Sequence, residues 1–293
     1  MNRNTFEIFH YRDEYMKEVA LHHHDFYEIY FFLSGNVSYN IESRNYLLTP
    51  GDMLIISPNE LHQPVFGPDK QSYERIVLWL NKSFLEQFDL PGQHVTRCFD
   101  TSRPNHTNLV RPDGVNREMI SYLLSILQQE ALSEDFGAEL YAMGCLAQLL
   151  VLLNRLAERS AREPEPRQNA DSLVYRVLAY INDHYNEDLS LDFLANKFFI
   201  SKYHLSREFQ RLVGTSVHRY IIQKRLVMAK QMLSEGKPSS EVYQQCGFGD
   251  YSNFFRAFKA EYQISPKDYV LRLKENAYRD DPLPRRLRER QEK

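Results

Sequence analysis

The sequence predicts two domains of unlike class: an amino-terminal antiparallel β-sandwich or barrel followed by a helical hairpin, then an all-α domain with two helix-turn-helix motifs. Three observations carry this. Short β-branched and aromatic runs fill residues 1–112, the pattern switches to helical periodicity near residue 115, and a charged, proline-bearing stretch at 160–171 separates that hairpin from a second helical region. A length of 293 residues suits about two domains. With 43% hydrophobic and 26% charged residues, the composition is that of a globular chain, which excludes wholesale disorder, a collagen-like repeat and a disulfide scaffold.

The strand runs are residues 28–33, 36–41, 53–56 and 73–80. Turn signals separate them at Ser34-Gly35, at Thr49-Pro50-Gly51-Asp52 and at Ser57-Pro58-Asn59. Helices are expected over 116–132 and 138–159. In the second, Ala142, Leu146, Leu149, Leu153 and Leu156 follow a 4-3-4-3 spacing, a seam that suits its own sheet, a second copy of the chain, or both at once. The expected organisation is a barrel at 1–112, a dimerisation hairpin at 113–160, a linker at 161–171, an all-α domain at 172–275 and a mobile charged tail at 276–293. No uninterrupted apolar run has the length of a membrane helix, and Cys98, Cys145 and Cys246 are scattered. A soluble, cytoplasmic protein with buried reduced thiols is expected.

The net charge of −3 is unevenly spread. Residues 1–170 hold 15 Lys+Arg against 23 Asp+Glu, residues 171–276 hold 15 against 12, and residues 277–293 hold 6 against 4. A basic second half joined to an acidic first half points to a polyanionic partner for the second.

The two turn motifs are expected over 191–213 and 240–262. Ser190 and Ser201 are placed to cap the two helices of the first, and Ser239/Ser240 and Asp250 those of the second. Leu205, Phe209 and Leu212 fall on one helical face, leaving Lys202, Tyr203, Ser206, Arg207 and Gln210 outward; Tyr251, Asn253, Arg256 and Lys259 are the outward set in the second motif. The connector at 216–235 is one helix of about 30 Å at 1.5 Å per residue, close to the ~34 Å between successive major grooves on one DNA face.

The run Ser201, Leu205-Ser206-Arg207, Phe209, Gly214, Ser216, Tyr220-Ile221, Arg225-Leu226 and Ala229 resembles the DNA-binding domain of the AraC/XylS family of bacterial transcription regulators. The resemblance continues through Gly247-Phe248, Asp250, Ser252, Phe254, Arg256, Phe258-Lys259, Ser265-Pro266 and Tyr269, over about 100 residues. It implies seven helices reading one asymmetric half-site. Base contacts are then expected from Lys202, Tyr203, Ser206 and Arg207, and from Tyr251, Asn253 and Arg256, with Gln210, Asp250 and Lys259 completing the interface. Arg225 and Lys230 suit either phosphate contacts or salt bridges. The chain departs from the family pattern at Tyr243 (usually a small Ala), Gln263 (usually Gly) and Val270 (commonly Arg).

In the first half, strand alternation puts His22, His24, Glu28, Tyr30 and Phe32 on one face, and His62 follows Pro58. His22, His24, Glu28 and His62 form a donor set suited to a divalent metal. The spacing of His22, His24, Glu28 and Gly35, then Pro50-Gly51-Asp52 and His62, resembles the cupin barrel, in whose metal-binding members these positions are ligands. Cupin-like domains in AraC/XylS members usually sense a small molecule, which makes His22, His24, Glu28, Tyr30 and His62 the expected effector site. Metal binding and a structural role stay open beside it. Phe26, Tyr30, Phe32 and Tyr39 suit either stacking on a sugar ring or ordinary core.

These readings together describe a non-enzymatic, effector-responsive transcription activator of a small-molecule operon, with a carbohydrate as the leading effector. Its expected partners are double-stranded DNA, a second copy of the chain and RNA polymerase, with no membrane. The alternatives are a metal-dependent cupin enzyme with an accessory helical domain and a structural adaptor.

Overall fold

The computed structural model describes residues 1, 5–14, 19–67, 72–162 and 172–280, with backbone only for 274–280. The linker stretch at 163–171 and the tail at 281–293 lie outside the described residues. The chain divides into two compact units, 1–176 and 177–293, each described by itself.

Among the described residues, the first unit holds eight strands: β1 (Phe6–Asp13), β2 (Tyr27–Ser34), β3 (Val37–Ile41), β4 (Arg44–Leu47), β5 (Met53–Ile56), β6 (His62–Phe66), β7 (Tyr73–Leu80) and β8 (Leu109–Val110). They form a five-stranded sheet, β1-β7-β2-β5-β8, facing a three-stranded sheet, β4-β3-β6, with every pairing antiparallel. Short helices interrupt the run from β7 to β8, beginning with α1 (Lys82–Leu85).

Because strand side chains alternate, β2 feeds two cores. Ile29 and Phe31 join Met53, Ile55, Leu78 and Leu80 on the face covered by helices. Tyr30 and Phe32 join Val37, Tyr39, Ile41, Leu54, Ile56 and Tyr73 between the sheets. Burial on both faces explains why β2 reads as an almost continuous apolar run.

The covering helices are α2 (Gly114–Glu130) and α3 (Ala138–Arg162). Asp113 caps α2 by accepting from the Asn116 N–H at 2.9 Å. Ala142, Leu146, Leu149, Leu153 and Leu156 are all buried in one cluster with the sheet. The seam packs on the chain's own sheet. By length and composition α3 is apolar enough to cross a bilayer; its buried leucines make it a core helix. All three cysteines are free and buried.

The second unit is helical: α4 (Leu173–His184, whose first turn lies before the division), α5 (Leu191–Lys197), α6 (Lys202–Val213), α7 (Val217–Ser234), α8 (Ser239–Gln245), α9 (Tyr251–Tyr262) and α10 (Pro266–Asp280). The expected tail boundary at 276 moves outward, since α10 runs to Asp280. Ser190, Ser201, Ser216 and Asp250 cap α5, α6, α7 and α9 through side-chain oxygens. Neither Ser239 nor Ser240 caps α8. Pro238 takes the cap position with no side-chain bond, because its fixed φ and missing N–H suit a helix entry.

Leu226, Ala229 and Leu233 of α7 pack with Val242, Cys246, Phe248, Phe254 and Phe258 in one cluster. At Gly247, φ is +81° and an added Cβ would lie 2.7 Å from the Asn186 carbonyl oxygen. Only glycine admits both the left-handed turn and that close approach.

Candidate nucleic-acid interface and ligand pocket

Helix α6 has two faces. Leu205, Phe209 and Val213 are buried. Lys202, Tyr203, Ser206, Arg207 and Gln210 are exposed, Tyr203 at 79%. Lys202 pairs with Asp192 at 3.2 Å, and Arg207 lies 3.7 Å from Glu208 on a largely solvated side chain. Both ion pairs are exposed, worth ~0–1 kcal/mol each, and easily exchanged for phosphate or base contacts. Phe199, in the turn before α6, is 94% exposed at φ +57°, an uncommon conformation for a bulky side chain.

Helix α9 repeats the plan with its polar residues tied together. Phe254 and Phe258 are buried, while Tyr251, Asn253, Arg256 and Lys259 are exposed. Asp250 accepts from the Asn253 backbone N–H at 2.8 Å and from the Asn253 side-chain amide, and Arg256 donates to Asn253 Oδ1 at 2.6 Å. Asp250, expected at the interface, also caps the helix, as its position predicts. Tyr251 is only 38% exposed, its ring meeting Tyr243 edge-on at 5.7 Å and Phe254 and Phe255 at 5.8 and 6.3 Å.

Between the two motifs, α7 spans 18 residues, about 27 Å. Its Arg225 is turned inward, donating to the carbonyls of Tyr185 at 2.7 Å and Glu187 at 2.6 Å. The guanidinium thus clamps the chain after α4. Burial lowers the pKa of its guanidinium from the ordinary arginine value. Lys230 rests over the rings of Tyr262 and Tyr269, at 5.0 and 5.9 Å.

In the first unit, His24, Glu28 and His62 present ligand atoms within 4.8 Å of one another. His22 joins them through an antiparallel bridge to His62, with ring centroids 4.3 Å apart. Glu28 is buried on β2 and accepts from Trp79 Nε1 of β7 at 2.9 Å. Residue spacing did not reveal Trp79; the Glu28–Trp79 pairing in the β2–β7 register supplies it. Phe26 stacks on His24 at 4.0 Å and meets Trp79 at 4.9 Å, an aromatic wall beside the cluster. Tyr30, expected in the effector site, is fully buried, and its hydroxyl bonds to that of Tyr73. Phe32 and Tyr39 are likewise core.

Burial pushes the His62 imidazole down to about 3 and lowers His22 as well. For Glu28, burial acts to raise the pKa, but the hydrogen bonds from His24 and from the Trp79 N–H hold the carboxyl below its usual range.

A family model described as the AraC-like ligand binding domain matches residues 6–150, and one described as a helix-turn-helix domain matches residues 194–272. The chain belongs to the AraC/XylS family of transcription regulators. It is 25% identical over 248 residues to the HTH-type transcriptional activator RhaS of Salmonella typhimurium, spanning 84% of this chain and 86% of that one. Among solved structures, unsaturated fatty acid bound ToxT from Vibrio cholerae is similar over 92% of this chain and 96% of its own, at 13% identity and a TM-score of 0.40. The C-terminal domain of the two-component response regulator yesN from Fusobacterium nucleatum covers 35% of this chain and 99% of its own, at 32% identity and a TM-score of 0.32. The protein is thus a DNA-binding transcription regulator, its helix-turn-helix domain preceded by a ligand-binding domain.

Proposed function

We propose that this regulator is a cytoplasmic activator that reads an asymmetric operator half-site with α6 and α9 and answers to a carbohydrate at the mouth of its barrel. The observation that carries the DNA reading is the pair of two-faced helices: apolar residues locked in the core, and Lys202, Tyr203, Ser206, Arg207 and Gln210, then Asn253, Arg256 and Lys259, left to solvent. We assign base reading chiefly to α6, whose outward side chains are the less engaged with one another, and backbone positioning chiefly to α9. The aromatic wall of Phe26 and Trp79 beside polar His22 and His24 suits the apolar face and hydroxyls of a sugar ring. For a homodimer, the exposed apolar side chains Met119, Tyr122, Tyr141 and Val151 on the outer faces of α2 and α3 are the surface we favour, and RNA polymerase is the partner an activator requires. A sensor of this kind needs no turnover, so we assign it no catalytic step.

Fluorescence-anisotropy titration of a selected operator tests the reading. Arg207→Ala should weaken binding by about 1–3 kcal/mol and relax one base position. An unchanged isotherm refutes the role of Arg207. Adding the effector should tighten or weaken operator binding, because it must bind one arrangement of the protein better than the other. Equal affinity with and without every sugar that raises the melting temperature refutes the coupling.

A further inference from the structure

The first helices of the two turn motifs, α5 and α8, close in the same way. After α5, the Phe199 N–H donates to the Asn196 carbonyl at 3.2 Å and the Ile200 N–H to that of Ala195 at 3.0 Å. After α8, the Gly247 N–H donates to the Gln244 carbonyl at 2.9 Å and the Phe248 N–H to that of Tyr243 at 2.9 Å. Such paired bonds are the Schellman closure, whose pivot residue is left-handed and most often glycine. The second motif follows that preference, with Gly247 at φ +81°. The first places phenylalanine at the pivot, at φ +57°, a conformation that strains a bulky side chain. Burial does not offset the strain, because the Phe199 ring is 94% exposed. Phe199 and Tyr203 are the two most exposed aromatic side chains described in the second unit. Past half-buried Ile200, the exposed stretch continues through Ser201, Lys202 and Tyr203 into the outward face of α6. An apolar ring kept in water on a strained backbone points to a contact outside the domain.

We propose that Phe199 is a further DNA-contacting residue, its ring packing on the apolar surface of the duplex at the lip of the groove that α6 enters. The proposal rests on the reading of α6 as the base-reading helix and extends that interface back into the turn. The apolar surface is a thymine methyl group or a deoxyribose face; phenylalanine is among the side chains that meet the thymine methyl in the major groove. Continuity with the α6 face, where Lys202 supplies a cation for phosphate, favours DNA over a protein surface. The closure explains why the strain is tolerated: two backbone bonds fix the residue before DNA arrives, so less freedom is lost on binding.

The test uses the full-length protein and a duplex selected by it from a random pool. Phe199→Gly and Phe199→Asn remove the ring and leave a residue that tolerates the left-handed pivot. Stability and affinity should then move in opposite directions. The melting temperature of Phe199→Gly rises by about 4–8 °C as the strain is relieved. Operator affinity falls about tenfold in both variants, the value of partly burying a phenyl ring, and Phe199→Tyr restores it. The slope of log K against log salt stays that of wild type, since no phosphate contact is lost. Duplexes carrying uracil for thymine separate the two apolar targets. A methyl contact gives wild type a uracil penalty at one position that Phe199→Gly lacks, whereas a deoxyribose contact gives both proteins the same penalties. Unchanged affinity in the Gly and Asn variants overturns the proposal, and Arg207→Ala in the same titration decides whether the reading of α6 falls with it. A melting temperature lowered in both variants overturns it too, because the ring would then be packed within the protein. So does full operator affinity with lost activation of transcription, which would place the ring against polymerase.

Discussion

Replacing Arg225 by alanine separates two physical roles that an arginine in a DNA-binding domain can have. Its guanidinium donates to the carbonyl oxygens of Tyr185 and Glu187 at 2.7 and 2.6 Å. It is half-buried, and its ring-stacking reach extends to Phe248 at 5.9 Å. Hydrogen bonds to a charged donor contribute about 1.5–3 kcal/mol each. Two of them, discounted because water can re-solvate a carbonyl near the surface, give a loss of about 2–3 kcal/mol. For a domain of roughly a hundred residues that lowers the melting temperature on the order of 10–20 °C. The assay is thermal unfolding of the full chain followed by circular dichroism, with operator affinity measured in parallel between low and moderate salt. The clamp reading expects reduced stability with an unchanged salt slope. A variant as stable as wild type, whose log K against log salt slope falls in magnitude by about 0.9, would show that Arg225 neutralises a phosphate and would refute the reasoning.

Other substitutions probe the backbone of the same domain and the acid tolerance of the barrel. Gly247→Ala combines a left-handed φ with a 2.7 Å approach to Asn186, and should cost about 2–4 kcal/mol in chemical denaturation; a loss below ~1 kcal/mol contradicts the close approach. Gln263 holds φ +57° at the end of α9, so Gln263→Gly should stabilise by about 1 kcal/mol, read as a higher denaturant midpoint, and a lower midpoint would mean that its contact to Ala260 at 2.8 Å matters more. Burial, then the Arg44 charge, depress the His106 imidazole to about 4. Between that value and the ~6.5 of the unfolded chain, only the unfolded state takes up the proton, so this contribution to stability is complete above pH 6.5 and declines as pH falls toward 4. His22 and His62 titrate in the same sense, so the check is comparative: His106→Gln should show a shallower fall in melting temperature between pH 7 and 5 than wild type, and identical slopes would dismiss the effect.

Much of the fold was legible because alternation and helical period are local properties. Glu28, Tyr30 and Phe32 share a face as strand geometry demands, and Leu205 and Phe209 turn inward as helix geometry demands. The caps at Ser190, Ser201 and Asp250 were readable because an N-cap bond spans only three residues. What a side chain meets across the structure was not readable. The period of α3 marked a seam without saying whether a sheet or a second helix fills it, since both present a flat apolar surface at the same spacing. Arg225 sits where either a phosphate or a carbonyl pair would satisfy it, and the carbonyls belong to residues about forty positions away.

The amino-acid order alone determined the alternation of apolar and polar positions, hence which segments become strands or helices and which residues of α6 and α9 stay in water. The three-dimensional arrangement decided the partners: Trp79 against Glu28, Tyr243 against Tyr251, Tyr30 bonded to Tyr73 in the core, and His24 and His62 brought beside Glu28. The division follows from the range of the forces. Backbone conformation is set within a few residues, whereas desolvation and lone-pair pairing depend on atoms that only folding brings within hydrogen-bonding reach.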